Sequence, residues 1–430
     1  MKHILLFLSC LLLFACVPKI QKLALSETDI VKKSATATSA ASICDVATNF
    51  QPDSSTPVKE VRVNIHFMRD DNGKGNFDEE KGREYAKDLL YNSNLKLDNN
   101  KKMKLPKGNE TPVLPTKLRF VLTGDSEKEG DDGIYFHNDT ELYYYMDKGP
   151  NRNYTNGYVF EKYGVGKGKI LNIFVHAYPI DSVKSPTFQR SINLKGIAFP
   201  SKGFTKLTGL YAYSRDTMHY DKQGEPVIKG AWFCAGHLNH EIGHVLGLHH
   251  TWRYNDNCDD TPKNPNCWAY NRNAPCNTEY SNNVMDYNTY QTAWTPCQLG
   301  KVHKNLSTSG NKVRKLAIPT WCTYNEDETI TLYEDEEWLG IKDIEGDIII
   351  TNDVTLTINC GVNMPKGGKI IVHQRGKLIV NEGVIKNDCG EEWDGIEIWK
   401  KKQEKGTVIY NNNVQILNVA KSQEKQVDKK

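Results

Sequence analysis

The sequence predicts an α+β (α/β-type) domain with a histidine-rich helix, followed by a small all-β, solenoid-like domain, and three observations carry that expectation. Strand-like and helix-like runs alternate over the first two thirds of the chain. A glycine-terminated helix then carries His240, Glu241, His244 and His250. Beyond about Ile318 the texture changes to short apolar-alternating runs separated by Gly, Asn and Asp.

In the first part, Val61, Val63 and Ile65 alternate as in a strand, and Glu79 to about Asn92 reads as a helix. Between them, the turn-rich loop Asp70 to Asn76 has lysine at positions where a calcium loop needs oxygen, so it reads as a solvated turn. Lys117 to Thr123 and Ile170 to Ala177 supply further strands, and the Tyr- and Asn-rich stretch between them has no clear periodicity. In the last part, Lys369-Ile370-Ile371-Val372 and Lys377-Leu378-Ile379-Val380 are near-repeats, which favours stacked coils over a sandwich.

The chain has 430 residues, 38% of them hydrophobic, which is ample for one large domain and a smaller one. Its 55 Lys+Arg and 53 Asp+Glu leave a net charge of +2 with no long basic block, which argues against a nucleic-acid partner. The expected divisions are 1–15, a signal peptide of lipoprotein type; 16–57, a tether or propeptide; 58–317, the α+β domain; 318–421, the β-rich domain; and 422–430, a disordered tail.

The leader decides the compartment. Ile4 to Phe14 is an apolar run too short to span a membrane, and Leu13-Phe14-Ala15-Cys16 resembles a bacterial lipobox, in which Cys16 takes a lipid; a plain signal peptide cut nearby is the alternative. Both imply export. The lipidated form belongs on the bacterial outer membrane or cell surface, from which cutting the leader would release the chain. Removing Cys10 and Cys16 from the 11 cysteines leaves nine, so at least one lacks an intramolecular disulfide partner. Cys258, Cys267, Cys276 and Cys297 show no tight thiolate spacing and read as disulfides, and Cys360 and Cys389 could bridge coils of the β domain.

In His240-Glu241-Ile242-Gly243-His244, the two histidines lie one turn apart on one helix face, so both imidazoles can reach a single Zn2+ ion. Glu241 is placed to take a proton from water at that ion. Gly247 accepts the left-handed conformation that reverses the chain and brings His250 back as a third ligand. Three protein ligands leave a fourth position open, as catalysis requires. His237 and His249 read as bystanders.

The run HEIGHVLGLHHTW resembles the metzincin metallopeptidases, and the pappalysin family in particular. Asn282-Asn283-Val284-Met285-Asp286-Tyr287 resembles that family's methionine turn. The resemblance covers roughly Val58 to Leu306 and implies hydrolysis of peptide bonds in proteins, with Met285 as an apolar base under the ligands and Tyr287 as a donor to the developing oxyanion. It implies that Gly75-Asn76-Phe77 is the family's early loop and that Gly196 to Pro200 is the edge strand that pairs with substrate backbone. It also implies disulfides Cys258–Cys276 and Cys267–Cys297, and a final helix opening at Pro296. The family's aspartate-rich Ca2+ loop is shortened here to Cys258-Asp259-Asp260-Thr261-Pro262, which argues against calcium, although Asp259 and Asp260 still offer oxygen ligands.

Two further expectations concern regulation and partners. Cys44 could occupy the open metal position as a latency switch, its alternatives being a disulfide or an idle thiol. Trp393 and Trp399 could stack on a glycan at the β domain, with core packing as the alternative.

Overall fold

The computed structural model describes residues 21–24, 30–33, 43–145, 152–178, 195–216, 219–220, 226–227, 230–251, 256–262, 267–269, 272–288, 290–411 and 414–420. The expected signal peptide 1–15 with Cys10, the residue Cys16 and the tail 422–430 lie outside the described residues.

Two short strands, β1 (Gln21–Ala24) and β2 (Ile30–Lys33), precede the first domain. Its sheet is built on β3 (Lys59–Arg69), the 11-residue strand whose residues are nearly all buried. Helix α1 (Glu79–Asp98) follows, its start fixed by the Asp78 side chain accepting from the Lys81 amide and by Glu79 and Glu80 in the first turn. The succeeding elements are β4 (Leu118–Leu122), β5 (Ile134–Asn138), α2 (Arg152–Tyr163), β6 (Leu171–His176), β7 (Lys195–Phe199), β8 (Phe204–Thr208), α3 (Leu210–Asp216), the two-residue pair β9 (His219–Tyr220) and β10 (Pro226–Val227), α4 (Gly230–Val245) and α5 (Pro296–Ser307). The sheet order is β4-β3-β6-β8-β7, with β5 also on β3; all pairs are parallel except the edge strand β7, which runs antiparallel to β8.

Alternation along β3 sorts the two faces of this sheet. Val61, Val63, Ile65 and Phe67 pack with Leu89, Leu238, Ile242 and Leu299 beneath α1, α4 and α5. Met68 on the opposite face packs with Val159 and Phe160 of α2. The stretch between β4 and β6 that showed no clear period thus contributes β5 and α2. The turn at Asp70 is closed by its own carboxylate, which accepts from the amides of Asn72 and Lys74 at 2.9 and 2.8 Å.

A polar seam runs through the second face. The Asn172 amide donates to the carbonyls of Val165 and Ile170, both at 2.9 Å, so its oxygen faces His66 Nε2 at 3.0 Å and the His66 proton sits on that nitrogen. His66 Nδ1 then accepts from His137 Nε2 at 2.9 Å. Burial, followed by the neighbouring His137, holds His66 well below the usual imidazole value. Burial, followed by Arg69, brings His137 down to about 4 against the pull of Asp139.

Both rings are neutral in the folded protein, whereas the unfolded chain takes up their protons below about 6.5. Their stabilising contribution is therefore complete above about pH 6.5 and declines as pH falls toward 4. Melting temperature measured from pH 7 to 4 should fall across that window, and less steeply in a His137→Gln variant; an unchanged slope in the variant would show that the seam does not govern acid sensitivity.

The β domain forms three-sided coils, as its spacing predicted. One face stacks β11 (Ile330–Leu332), β14 (Ile348–Ile350), β17 (Lys369–Val372) and β20 (Gly395–Lys401). The second stacks β12 (Glu336–Trp338), β15 (Thr355–Ile358), β18 (Lys377–Val380) and β22 (Thr407–Asn411). The third stacks β13 (Ile341–Asp343), β16 (Gly361–Asn363), β19 (Gly383–Lys386) and β23 (Val414–Ile416). All stacked neighbours are parallel and in register, and β21 (Glu404–Lys405) hairpins onto β20. Leu356, Leu378 and Val408 form one of the buried ladders inside.

Trp393 belongs to this core, its indole N–H donating to the Leu417 carbonyl at 2.8 Å. Trp399 stacks on His373 with ring centroids 4.0 Å apart. The packing alternative therefore holds for Trp393, and the pair invoked for sugar stacking is not available.

The tether-or-propeptide reading of 16–57 took the segment for one that does not pack, and on that point it needs correction. Strand β1 pairs with β20 and β2 with β22, so this segment adds backbone to two faces of the solenoid. Phe50 is buried, and Cys44 is bonded to Cys360, 316 residues away. Composition was the only guide there, and it does not report pairing with strands this distant in sequence. The disulfide also removes Cys44 as a free thiolate for the metal position, which overturns the latency switch. Cys389 is bonded to Cys322, so Cys360 and Cys389 tie the solenoid to preceding segments rather than coil to coil.

The junction between the domains is ionic and buried. Asp343 of β13 accepts two bonds from Arg314, at 2.9 and 3.0 Å, and one from Asn363 at 2.6 Å, and it pairs with Lys59 of β3. Arg314 lies over the Trp321 ring at 4.0 Å. Burial would raise the Asp343 carboxyl, but Lys59 and Arg314 outweigh it and hold it at about 2.

Candidate active site

Helix α4 is buried along almost its whole length because it lies between the sheet, α1 and the segment after it. Gly247, at φ +105°, ends it, and the Asn305 amide caps the Leu246 carbonyl at 2.9 Å. The chain then reverses and returns His250 to the helix. His250 Nε2 lies 3.2 Å from His240 Nε2 and 3.1 Å from His244 Nε2.

The remaining ring nitrogens explain which atoms face inward. His240 Nδ1–H donates to the Val284 carbonyl at 2.7 Å, and His244 Nδ1–H donates to the Leu248 carbonyl at 2.8 Å. Each bond fixes a tautomer with a bare Nε2 lone pair directed at the common centre. Burial, and for His240 the neighbouring imidazoles as well, lowers both pKa values and keeps the rings neutral. The potential ligand atoms of the three histidines all lie within 4.8 Å of one another. A tetrahedral zinc ion about 2.0–2.1 Å from each nitrogen would separate its ligands by roughly 3.3 Å, so the donor set fits zinc. His237 and His249 are not in the cluster.

Met285 lies beneath the helix, fully buried, and the reason is Gly243: a methyl group there would meet the Met285 sulfur at 2.8 Å. The turn is held by the Asn283 carboxamide oxygen, which accepts from the Met285 amide at 2.8 Å. Asp286 accepts from Thr251, the residue after His250, and from Ser281, so turn and third histidine are coupled. Burial lifts the Asp286 carboxyl to about 6. Tyr287 is 49% exposed, with its ring centroid 4.8 Å from that of His250 and 5.9 Å from that of His240.

Glu241 is buried next to the cluster, and burial raises its carboxyl to about 8. Its carboxylate occupies the space that a side chain at residue 196 would take, since a methyl on Gly196 would lie 2.4 Å from Oε1. The roles of Gly196 and Gly243 were not read from the sequence, because a glycine needed for close approach looks like any other glycine until its neighbour is known.

Residues 193–307 match the family model described as Pregnancy-associated plasma protein-A, peptidase M43. That match makes this segment similar to the pappalysin family of zinc metallopeptidases. The peptidase is also similar in structure to mirolysin in complex with compound 9, at 16% identity over 61% of this chain and 97% of that one, with a TM-score of 0.41. Mature mirolysin of Tannerella forsythia in complex with a cleaved peptide is similar at 18% identity over 62% and 97% of the two chains, with a TM-score of 0.39. No curated protein matches.

The four cysteines after the histidines are paired as Cys258–Cys297 and Cys267–Cys276, not as the family resemblance implied. The Asp260 carboxylate caps α5, accepting from the Thr295 hydroxyl and the Cys297 amide, both at 2.8 Å. That cap carries Cys258 to Cys297, with Cα atoms 5.6 Å apart, and Cys267 closes on Cys276 at 4.7 Å. The same bonds engage both oxygens of Asp260, one of the two residues considered for calcium. Cys234 is the free cysteine among the described residues, and it is buried.

Proposed function

We propose that the peptidase cleaves internal peptide bonds of proteins, with His240, His244 and His250 as zinc ligands, Glu241 as general base and Tyr287 as oxyanion donor. The convergence of three Nε2 atoms, two of them on rings fixed by carbonyl acceptors, carries this reading. Zinc bound there supplies a Lewis acid that polarises the scissile carbonyl and acidifies water. Glu241 accepts a proton from the attacking water and returns it to the leaving nitrogen, its carboxyl being buried next to the cluster where both transfers take place. The exposed Tyr287 hydroxyl donates to the carbonyl oxygen as charge builds on it. Edge strand β7, paired only to β8 among the described residues, offers its outer backbone edge to an extended substrate.

Cleavage of a mixed peptide library should stop when a chelator strips the protein and resume when zinc is restored, with one zinc per chain by elemental analysis. Chelator-resistant cleavage would overturn the reading. Export, with a lipid on Cys16 tethering the chain to an outer membrane or cell surface, is part of the same proposal; the apolar leader and four disulfides support it. Mass analysis of the N-terminal peptide from the native host tests it, an unmodified Cys16 counting against the tether.

A further inference from the structure

A buried cation lies one helical turn from the first histidine and has no part in the mechanism above. Ser93 of α1 pairs with Asn239 of α4. One turn on along α1 and one turn back along α4, Lys96 meets Gly236, and a methyl on Gly236 would lie 3.1 Å from the Lys96 ammonium. Lys96 is 4% exposed. Its contacts are poor compensation for a charge: the Tyr290 carbonyl at a long 3.4 Å and the face of Trp232 at 4.1 Å. Cys234, whose charge would act on it, is a thiol pushed up to about 12 by burial, and among the described residues no carboxylate offsets the desolvation that brings Lys96 down to about 8.

The surroundings connect this cation to the site. The Gln291 side chain lies against the same point of Gly236, with Oε1 at 3.2 Å from the position a methyl would take. Its Nε2 donates to the carbonyls of Val284 and Asp286, at 3.4 and 3.1 Å. The Val284 carbonyl is also the acceptor that orients His240. Lys96 and Gln291 therefore meet at one point of α4, on the helix face that carries His240 one turn on. A buried ammonium with no carboxylate partner among the described residues would gain from a carboxylate supplied by a ligand, whose oxygens would complete the pairing.

We propose that Lys96 is a specificity-determining residue that selects substrates with an acidic side chain, Asp or Glu, adjacent to the scissile bond. The proposal rests on the proteolytic reading above. Peptides blocked at both ends and varied one position at a time around the cut supply the test, so that only side-chain carboxylates are compared. The protein as it stands should favour Glu over Gln, or Asp over Asn, at one position by about 10- to 100-fold in kcat/KM. Salt should weaken that preference. Lys96→Met should bring the ratio toward one, Lys96→Arg should retain much of it, and Lys96→Glu should turn it toward basic side chains.

Cleavage by the unaltered protein with no acidic preference would overturn the assignment, and that measurement does not depend on any variant folding. A preference that survives in Lys96→Met would overturn it equally. Failure to cut any peptide when zinc is bound would instead overturn the proteolytic reading itself.

Discussion

Glu241→Gln should retain one zinc per chain and lower kcat by about 10³-fold. The substitution keeps the shape of a side chain that contacts Gly196 but removes the carboxylate proposed to accept and return a proton. His240 and His244 fix their tautomers on the carbonyls of Val284 and Leu248 and not on Glu241. Metal affinity and turnover should therefore separate, with zinc by elemental analysis near that of the parent. Full turnover in Glu241→Gln would eliminate the general-base assignment. Gly196→Ala makes the same point by displacement. The added methyl meets the far end of a flexible side chain rather than backbone, so the strand stays and the carboxylate moves. Activity should fall on the order of 10- to 100-fold while the melting temperature holds.

Asp343→Ala should be the most damaging change outside the site, with a loss of about 3–5 kcal/mol in unfolding experiments. It leaves Lys59 and Arg314 buried with their shared counter-charge removed, and Arg314 retains Asp388, the Leu306 carbonyl and the Trp321 ring as partners. Asp353→Ala is the control: its partner Arg375 is an exposed residue, and melting should be unchanged. Equal melting of the two variants would show that the junction contributes nothing to stability.

The histidine cluster was legible because a four-residue spacing on a helix has one geometric meaning, and because glycine at 247 permits the reversal that returns His250. The solenoid was legible for a similar reason: ladders such as Leu356, Leu378 and Val408 demand repeated apolar positions in the chain. Pairings that depend on two distant loops left no such trace. Cys258 pairs with Cys297 only because Asp260 caps α5, and nothing in the spacing of the cysteines encodes that cap. Lys96 escaped notice in the same way, since a lysine late in a helix normally reads as a favourable partner for the helix C-terminus and not as a buried cation.

The bond between Cys44 and Cys360 also changes what kind of object the molecule is. The backbone from one cysteine to the other closes into a covalent ring that contains the entire catalytic domain and the first coils of the solenoid. Closing a loop of 316 residues restricts the unfolded chain by an amount on the order of 5–6 kcal/mol in the entropic account. A single cut anywhere in the ring, including one made by a second copy of the enzyme, opens it without releasing a fragment. Nicked protein should migrate as one species without reductant and as two pieces with it, and a nick need not end the life of the molecule.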